Sequence, residues 1–345
     1  MRCLLGSTMV VTKRRCSAVP TYGRVAPVDY IVDRVAQTFD LGSPRSAEPV
    51  AGGLSNEVWK LTTGHGSFAV KLMRTNSSNA DFRGNVEAAY AVEAAAFARG
   101  VPCPEPVPAS PGRCLAEVEG QLARVHRWCD GHVPRAGEWS TGAGELLARI
   151  HSAGATFEQA LGDEPWDEDG WASLADHAAM PEALGERLRL AAPHLAALEA
   201  TTAAPGRPTD HVLSHGDLDP KNTLVVGGRL MALDWDAAGP QPVSREAVAV
   251  ALDWSTDVEG FRGVLAAYAG VTGRQVESEP WVFGGWVAAL GGWLVHNATA
   301  RIDTALGREQ VASTCDRLLT LRTSLEQYRA ALDRLDPRPE SGLSR

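Results

Sequence analysis

Residues 223–235 read TLVVGGRLMALDW, two short apolar runs hinged on Gly227-Gly228. A two-residue Gly-Gly turn between β-forming runs is a strong hairpin signal, because both turn positions need the positive φ that glycine adopts without steric cost. The turn also fixes the register. Counting outward, Val226 faces Arg229, Val225 faces Leu230, Leu224 faces Met231, Thr223 faces Ala232 and Asn222 faces Leu233. Asn222 and Asp234 therefore share one open end, and the segment His215-Gly216-Asp217-Leu218-Asp219-Pro220-Lys221-Asn222 leads Asp217 into it. An amide oxygen beside a carboxylate is a reasonable pair of hard ligands for Mg²⁺ held jointly with phosphate oxygens. The same residue types also form turns in ordinary polar loops, so this segment alone leaves both readings open.

The rest of the chain falls into two parts. Val28–Phe39 has apolar residues at helical spacing. Val58–Leu61 and Ser67–Leu72 flank a turn at Thr63-Gly64-His65-Gly66 and read as a β-hairpin. Asn85–Arg99 is alanine-rich, has no internal Pro or Gly, and is stopped by Gly100. Prolines at 102, 104, 106, 108 and 111 then break regular structure until Gln121–Cys129, a further strand. Beyond Gly131 helical periods dominate, at Glu145–Ser152, Pro181–Ala200, Arg245–Trp254, Trp281–Ala305 and Gln310–Leu335. The expected division is a strand-rich part over 26–128 and a mainly helical part over 129–335. Residues 1–25 and 336–345 are expected to be flexible tails.

With 345 residues, about two folding units are expected. The 33 basic and 42 acidic residues give a net charge of −9, which disfavours nucleic acid or an anionic membrane as the main partner and suits a cationic small molecule. The six cysteines form no CxxC pair, so reduced thiols and a cytoplasmic location are expected. No apolar run approaches the length of a transmembrane helix. The start, MRCLLGSTMVVTKRRCS, has a short, broken apolar stretch with its basic residues behind it. A signal peptide is not expected there, and Met9 is a candidate alternative start.

Two further features bear on chemistry. Gly52-Gly53-Leu54-Ser55-Asn56 is a glycine-rich turn able to bring backbone N–H groups close to phosphates, although it is not a Walker sequence and resembles many hairpin turns. Lys71 lies on the apolar strand Phe68–Leu72, either as an edge charge or as a functional ammonium, with Glu93 on the alanine-rich helix as its natural partner and Glu87 as competitor. Taken in order, the glycine turn, Ala-Val-Lys, a helical glutamate, HGDxxxxN and LDWD resemble the kinase set of Gly loop, strand lysine, helix glutamate, HRDxxxxN and DFG. Gly216 replaces the arginine, and Trp235-Asp236 replaces Phe-Gly. That variant resembles the aminoglycoside phosphotransferase and choline kinase-like family, with LSHGDLDPKNTL and LDWDAAGP as its most recognisable blocks. Tyr90-Ala91-Val92-Glu93, Gly100-Val101-Pro102-Cys103-Pro104 and Leu147-Ala148-Arg149-Ile150-His151 add support, and the resemblance covers about residues 48–305.

The resemblance implies an α+β, two-lobed protein kinase-like fold, with a small antiparallel-sheet N-lobe and a larger, mainly helical C-lobe. It implies that Asp217 is the catalytic base and that Asn222 and Asp234 hold Mg²⁺. Lys71 would contact the α- and β-phosphates of ATP or GTP and pair with Glu93. Gly52, Gly53 and Ser55 would cover the phosphates, and the backbone of His126, Arg127 and Trp128 would form the inter-lobe hinge that meets the purine. His215 would bond loop carbonyls. For the acceptor, Asp236, Asp257 and Glu259 are candidates, and residues 163–169 (DEPWDED) form a dense acidic loop that either attracts a polycation or is simply solvated. Trp281, Trp286 and Trp293 read as core, whereas His296 and Asn297 could face core or crevice. The function expected is O-phosphotransfer to a hydroxyl of a small molecule, an aminoglycoside-like or other cationic antibiotic. The alternatives are a metabolic hydroxyl acceptor such as choline, a sugar or an amino alcohol, or a non-catalytic nucleotide-binding protein. A metal-dependent hydrolase built on His215, Asp217 and Asp234 would leave the lysine strand and glycine turn without a purpose. The oligomeric state is left open.

Overall fold

The computed structural model describes residues 28–50, 56–73 and 80–334. The tails expected at 1–25 and 336–345, and the phosphate-covering Gly52, Gly53 and Ser55, lie outside the described residues. The N-terminal part consists of α1 (Val28–Thr38), β1 (Pro44–Val50), β2 (Asn56–Thr63), β3 (Gly66–Met73), α2 (Ala80–Ala98), β4 (Pro106–Val107), β5 (Ala116–Val118) and β6 (Gln121–Arg127). These strands form one antiparallel sheet, ordered β1-β2-β3-β6-β4, with β5 also paired to β6. Strand alternation gives the sheet two faces. Val70, Leu72, Ala123 and Val125 pack with Ile31, Val32 and Val35 of α1. Lys71 and Arg124, directly opposite each other in the β3–β6 ladder, share the other face with His126, toward α2.

The remaining chain forms α3 (Ser140–Ala153), β7 (Thr156–Ala160), α4 (Glu168–Ser173), α5 (Glu182–Thr202), β8 (Pro208–Ser214), β9 (Thr223–Val226), β10 (Arg229–Ala232), β11 (Gly239–Pro242), α6 (Val243–Trp254), α7 (Val258–Thr272), α8 (Gly284–Ala300) and α9 (Ala305–Asp333). The β9–β10 register matches the one counted from the sequence, residue for residue, and both turn glycines have positive φ, 56° and 77°. Helix α2 starts five residues before the expected Asn85 and contains Gly84, a residue that sequence reasoning treats as a breaker. Strand β1 was not expected; its largely exposed side chains give no apolar alternation, and its pairing to β2 defines it. The small β11-β8-β7 sheet was likewise unexpected. So was α7, where Gly260, Gly263 and Gly270 interrupt the helical period and burial of Phe261, Val264, Leu265 and Tyr268 compensates. The helical part has one continuous core, including Trp235, Trp254, Phe261 and Phe283. Each such side chain contributes roughly 1.5–3 kcal/mol on burial. No helix among the described residues is long and apolar enough to cross a membrane.

One buried polar chain supports the segment that carries Asp217. Glu246 of α6 accepts the Gly216 N–H at 2.8 Å on one carboxylate oxygen and lies 2.7 Å from His151 Nε2 with the other. His151 Nδ1 lies 2.9 Å from the Tyr268 hydroxyl. Burial alone would push the Glu246 carboxyl up, but the contacts from His151 and the Gly216 amide hold it below the usual glutamate range. A depressed folded-state pKa contributes stability that is present above the unfolded value and lost as pH falls through the folded one. Glu246→Gln is expected to destabilise the protein by about 3 kcal/mol near neutral pH. The gap to wild type should close in acid. Urea unfolding of both proteins at the two pH values reads the difference, and equal stability at neutral pH would contradict this assignment.

Candidate active site

The open end of the β9–β10 hairpin is anchored on both sides. Leu233 N–H donates to the Asn222 carbonyl at 2.8 Å, and Ala232 N–H donates to the Pro102 carbonyl at 2.8 Å, which ties the hairpin to the segment after α2. Asp234 follows with φ +55° and ψ +61°, a left-handed conformation costly for a non-glycine residue. Such backbone is sustained only where the surroundings dictate it. Here the next residue, Trp235, is fully buried with its ring 4.8 Å from that of His215. His215 is itself fully buried, with Nε2 2.7 Å from the Leu233 carbonyl, and its Nδ1 accepts the Asp217 N–H at 3.2 Å. It bonds the loop carbonyl, as the sequence suggested. Gly216 has φ +79°, and a Cβ there would meet the Ala237 carbonyl oxygen at 2.5 Å, so glycine is required on two counts. Trp254 donates its indole N–H to the Leu218 carbonyl at 2.8 Å.

These contacts fix Asp217 and Asn222 together. The Asn222 amide group donates to the Asp217 carboxylate at 2.8 Å and to its backbone carbonyl at 2.9 Å. The Asn222 amide oxygen is thereby turned away from Asp217. Asp219 accepts the Asn222 N–H at 3.1 Å and holds the Lys221 ammonium. The Asp217 side chain is 48% accessible. Its carboxyl sits above the ordinary aspartate value because desolvation outweighs the Lys221 ammonium 3.8 Å away.

The charged face of the sheet meets the hairpin end. The Lys71 ammonium lies 2.7 Å from Asp234 and 2.5 Å from Asp236. Burial works against its charge, but the two carboxylates outweigh burial and raise its pKa. The expected Lys71–Glu93 pair is not what forms. Glu93 bonds Arg124 with one oxygen and lies 3.0 Å from His126 Nε2 with the other. The reason is geometric: Arg124 shares the face of Lys71 and stands between it and the helix glutamate. Arg124 is 1% exposed and also reaches Asp236 at 2.6 Å. Sequence reasoning missed it, although a charge inside the apolar run Leu122-Ala123-Arg124-Val125 was a usable signal. Glu87, the competitor, accepts the N–H groups of Cys114 and Leu115 at 3.0 and 3.2 Å.

Several other expected site residues are engaged elsewhere. Asp236 has each carboxylate oxygen engaged, one by Lys71 and one by Arg124. Asp257 caps α7 by accepting the Gly260 N–H at 2.8 Å, and Glu259 is exposed, 3.7 Å from Arg262. In the acidic loop, Asp163 forms a two-pronged pair with Arg245, both contacts at 2.6 Å, and Asp167 caps α4. Trp281, Trp286 and Asn297 are buried, Trp293 is half-buried and His296 is exposed. At the hinge, Arg127 N–H donates to the Glu105 carbonyl at 2.9 Å and Trp128 N–H to the Ser67 carbonyl at 3.0 Å. The His126 ring faces Glu93. The Arg127 and Trp128 amides are thus held within the sheet instead of being free for a purine.

A family model described as the phosphotransferase enzyme family matches residues 46–279. A homoserine kinase of Bradyrhizobium sp. (strain ORS 278) is 31% identical over 218 residues, 59% of this chain and 63% of that protein, so the chain spans under two thirds of this curated relative. Among solved structures, a spectinomycin phosphotransferase in complex with ADP and its antibiotic superposes with a TM-score of 0.58 at 12% identity, covering 84% of this chain and 98% of that one. An amicoumacin kinase bound to AMP-PNP and Ca²⁺ gives 0.54 at 14% identity, over 85% and 95%. At such identities the likeness concerns the fold, which is the two-lobed kinase-like architecture expected from the sequence.

Gly216→Ala tests the local geometry. It is expected to destabilise the protein by about 2 kcal/mol through backbone strain. It should also displace Asp217 enough to lower turnover by roughly a hundredfold. Thermal unfolding and rate measurements on the same preparation read both; unchanged values would contradict the strain described.

Proposed function

As this chain belongs to the phosphotransferase enzyme family, we propose that it moves the γ-phosphoryl group of ATP, or of GTP, to a hydroxyl of a small molecule. The observation that carries this reading is the meeting of Lys71, from the sheet, with Asp234, from the hairpin end, 2.7 Å apart. Asp234 stands one residue beyond Leu233, whose N–H bonds the carbonyl of Asn222, itself linked to Asp217. Phosphoryl transfer asks little covalent work of a protein; it needs alignment and positive charge around the phosphates. Asp217 accepts the proton of the acceptor hydroxyl and aims its oxygen. Its raised pKa brings it closer to neutrality and makes it a better base than an ordinary aspartate. Lys71 neutralises the α- and β-phosphates.

The donor set fits Mg²⁺. The Asn222 amide oxygen is freed by the bonds its amide group makes to Asp217, and Asp234 is 47% accessible despite its contact with Lys71. Both are hard oxygen donors, and Mg²⁺ prefers one or two such ligands together with phosphates and water. When bound, the ion would neutralise charge on the phosphates. Gly52, Gly53 and Ser55 remain proposed to cover those phosphates. With two hinge amides held in the sheet, the purine would be met by the chain beyond Trp128.

The acceptor we favour is a small metabolic alcohol bearing an amine, such as an amino alcohol or a hydroxy amino acid. Of the acidic residues that could have attracted a polycationic antibiotic, Asp163 pairs with Arg245, Asp167 and Asp257 cap helices, and Asp236 is bonded to Lys71 and Arg124, which weakens the case for a polycationic acceptor. The homoserine kinase relative supports the same choice. A nucleotide-consumption screen over homoserine, choline, amino alcohols, sugars and aminoglycosides, with mass detection of an added phosphoryl group, tests it. Transfer to a small amino alcohol or hydroxy amino acid is expected, and transfer to aminoglycosides alone would refute the choice. In Asp217→Asn the rate should fall by about 10²–10⁴-fold with nucleotide binding preserved. Full turnover in that variant would remove Asp217 from the chemistry.

A further inference from the structure

We propose that Arg124 is a positioning residue for phosphoryl transfer, linking the helix glutamate Glu93 to the strand lysine Lys71 through Asp236 in place of a direct lysine–glutamate pair. The proposal deepens the kinase reading and rests on Lys71 meeting the nucleotide. Five charged groups form one alternating line: Glu93, Arg124, Asp236, Lys71, Asp234. Each prong of the Arg124 guanidinium holds a different carboxylate, Nη1 that of Asp236 at 2.6 Å and Nη2 that of Glu93. Asp236 then presents its second oxygen to the Lys71 ammonium at 2.5 Å. Side-chain exposure is 1% for Glu93 and Arg124, 27% for Asp236, 14% for Lys71 and 47% for Asp234, so one end of the line is buried and the other is open.

The contrast between the two ends separates two roles. The buried end, Glu93 and Arg124, fixes Asp236, and Asp236 fixes Lys71. The exposed end, Asp234, can leave the lysine for a metal ion while Lys71 stays in place. Arg124 Nε is buried without a partner, so the guanidinium is oriented by its two carboxylates rather than by full satisfaction of its donors. A buried ionic arrangement of this kind adds little to stability once desolvation is counted, but it does specify direction. Without Arg124, three carboxylates would face a single ammonium in a crevice that must admit a triphosphate. A lysine in its place would keep the charge but lose the planar fork that reaches both carboxylates.

The test uses three variants of the full chain: Arg124→Met, Arg124→Lys and the double variant Arg124→Met with Glu93→Gln. Calorimetric binding of ATP with Mg²⁺ is measured without acceptor, alongside thermal unfolding and the kcat and KM of both substrates. Arg124→Met is expected to weaken ATP binding tenfold or more and to raise the KM for ATP, leaving the acceptor KM within about twofold. Arg124→Lys should not restore binding. In the double variant the buried carboxylate left behind is neutralised, so the melting temperature should recover while ATP binding stays weak. Wild-type ATP affinity in Arg124→Met, or recovery of both melting temperature and affinity in the double variant, would overturn the positioning role and reduce Arg124 to a structural ion. A folded wild type that binds neither ATP nor GTP would instead refute the functional reading itself, and this inference with it.

Discussion

The sheet and the hairpin end are joined by ion pairs, Lys71 with Asp234 and Asp236 and Arg124 with Asp236, in which carboxylates outnumber cations. Three carboxylates, Glu93, Asp234 and Asp236, face two cations, Lys71 and Arg124, in a crevice where the cations are almost fully screened from water. In such surroundings each charge depends on its partner, because an unpaired buried ion costs several kcal/mol. The pKa values of Lys71 and Arg124 are raised and those of Glu93 and Asp236 lowered, all against the direction that burial alone would impose. These ion pairs span the sheet and the hairpin end, and their surplus carboxylate suits the cation proposed to arrive with the nucleotide.

Around that centre the scaffold works by fixing backbone. Glu246 pins the amide of Gly216, His215 ties the loop to Leu233, and Trp254 holds the Leu218 carbonyl. None of these groups needs to touch a substrate. Together they leave the Asp217–Asn222 pair one geometry, which is the kind of preorganisation that alignment-driven chemistry requires. The left-handed backbone at Asp234 belongs to the same pattern, with local strain sustained by the buried Trp235 beside it.

The hairpin register and the proximity of Asn222 to Asp234 were legible in the sequence because a Gly-Gly turn encodes pairing locally. The kinase-like order of motifs was legible for the same reason. The partner of Lys71 was not, since Arg124 is placed between lysine and glutamate only when two strands pair and α2 docks. The local contacts of the acids expected on the acceptor side were also less legible. Asp257 and Asp167 each stand three residues before a glycine whose N–H they cap, a spacing present in the sequence that was not read as capping. Helix α7 was hidden by its glycines, whose cost is offset by tertiary burial that no local period reports.

A structure of the chain with Mg²⁺ and a non-hydrolysable ATP analogue tests the central claim most directly. The phosphates are expected between Lys71 and Asp234, with Asp234 turned from the lysine to the metal and Asp236 still bonded to both Lys71 and Arg124. Phosphates bound elsewhere, or a Lys71 that remains on Asp234 with nucleotide present, would contradict it.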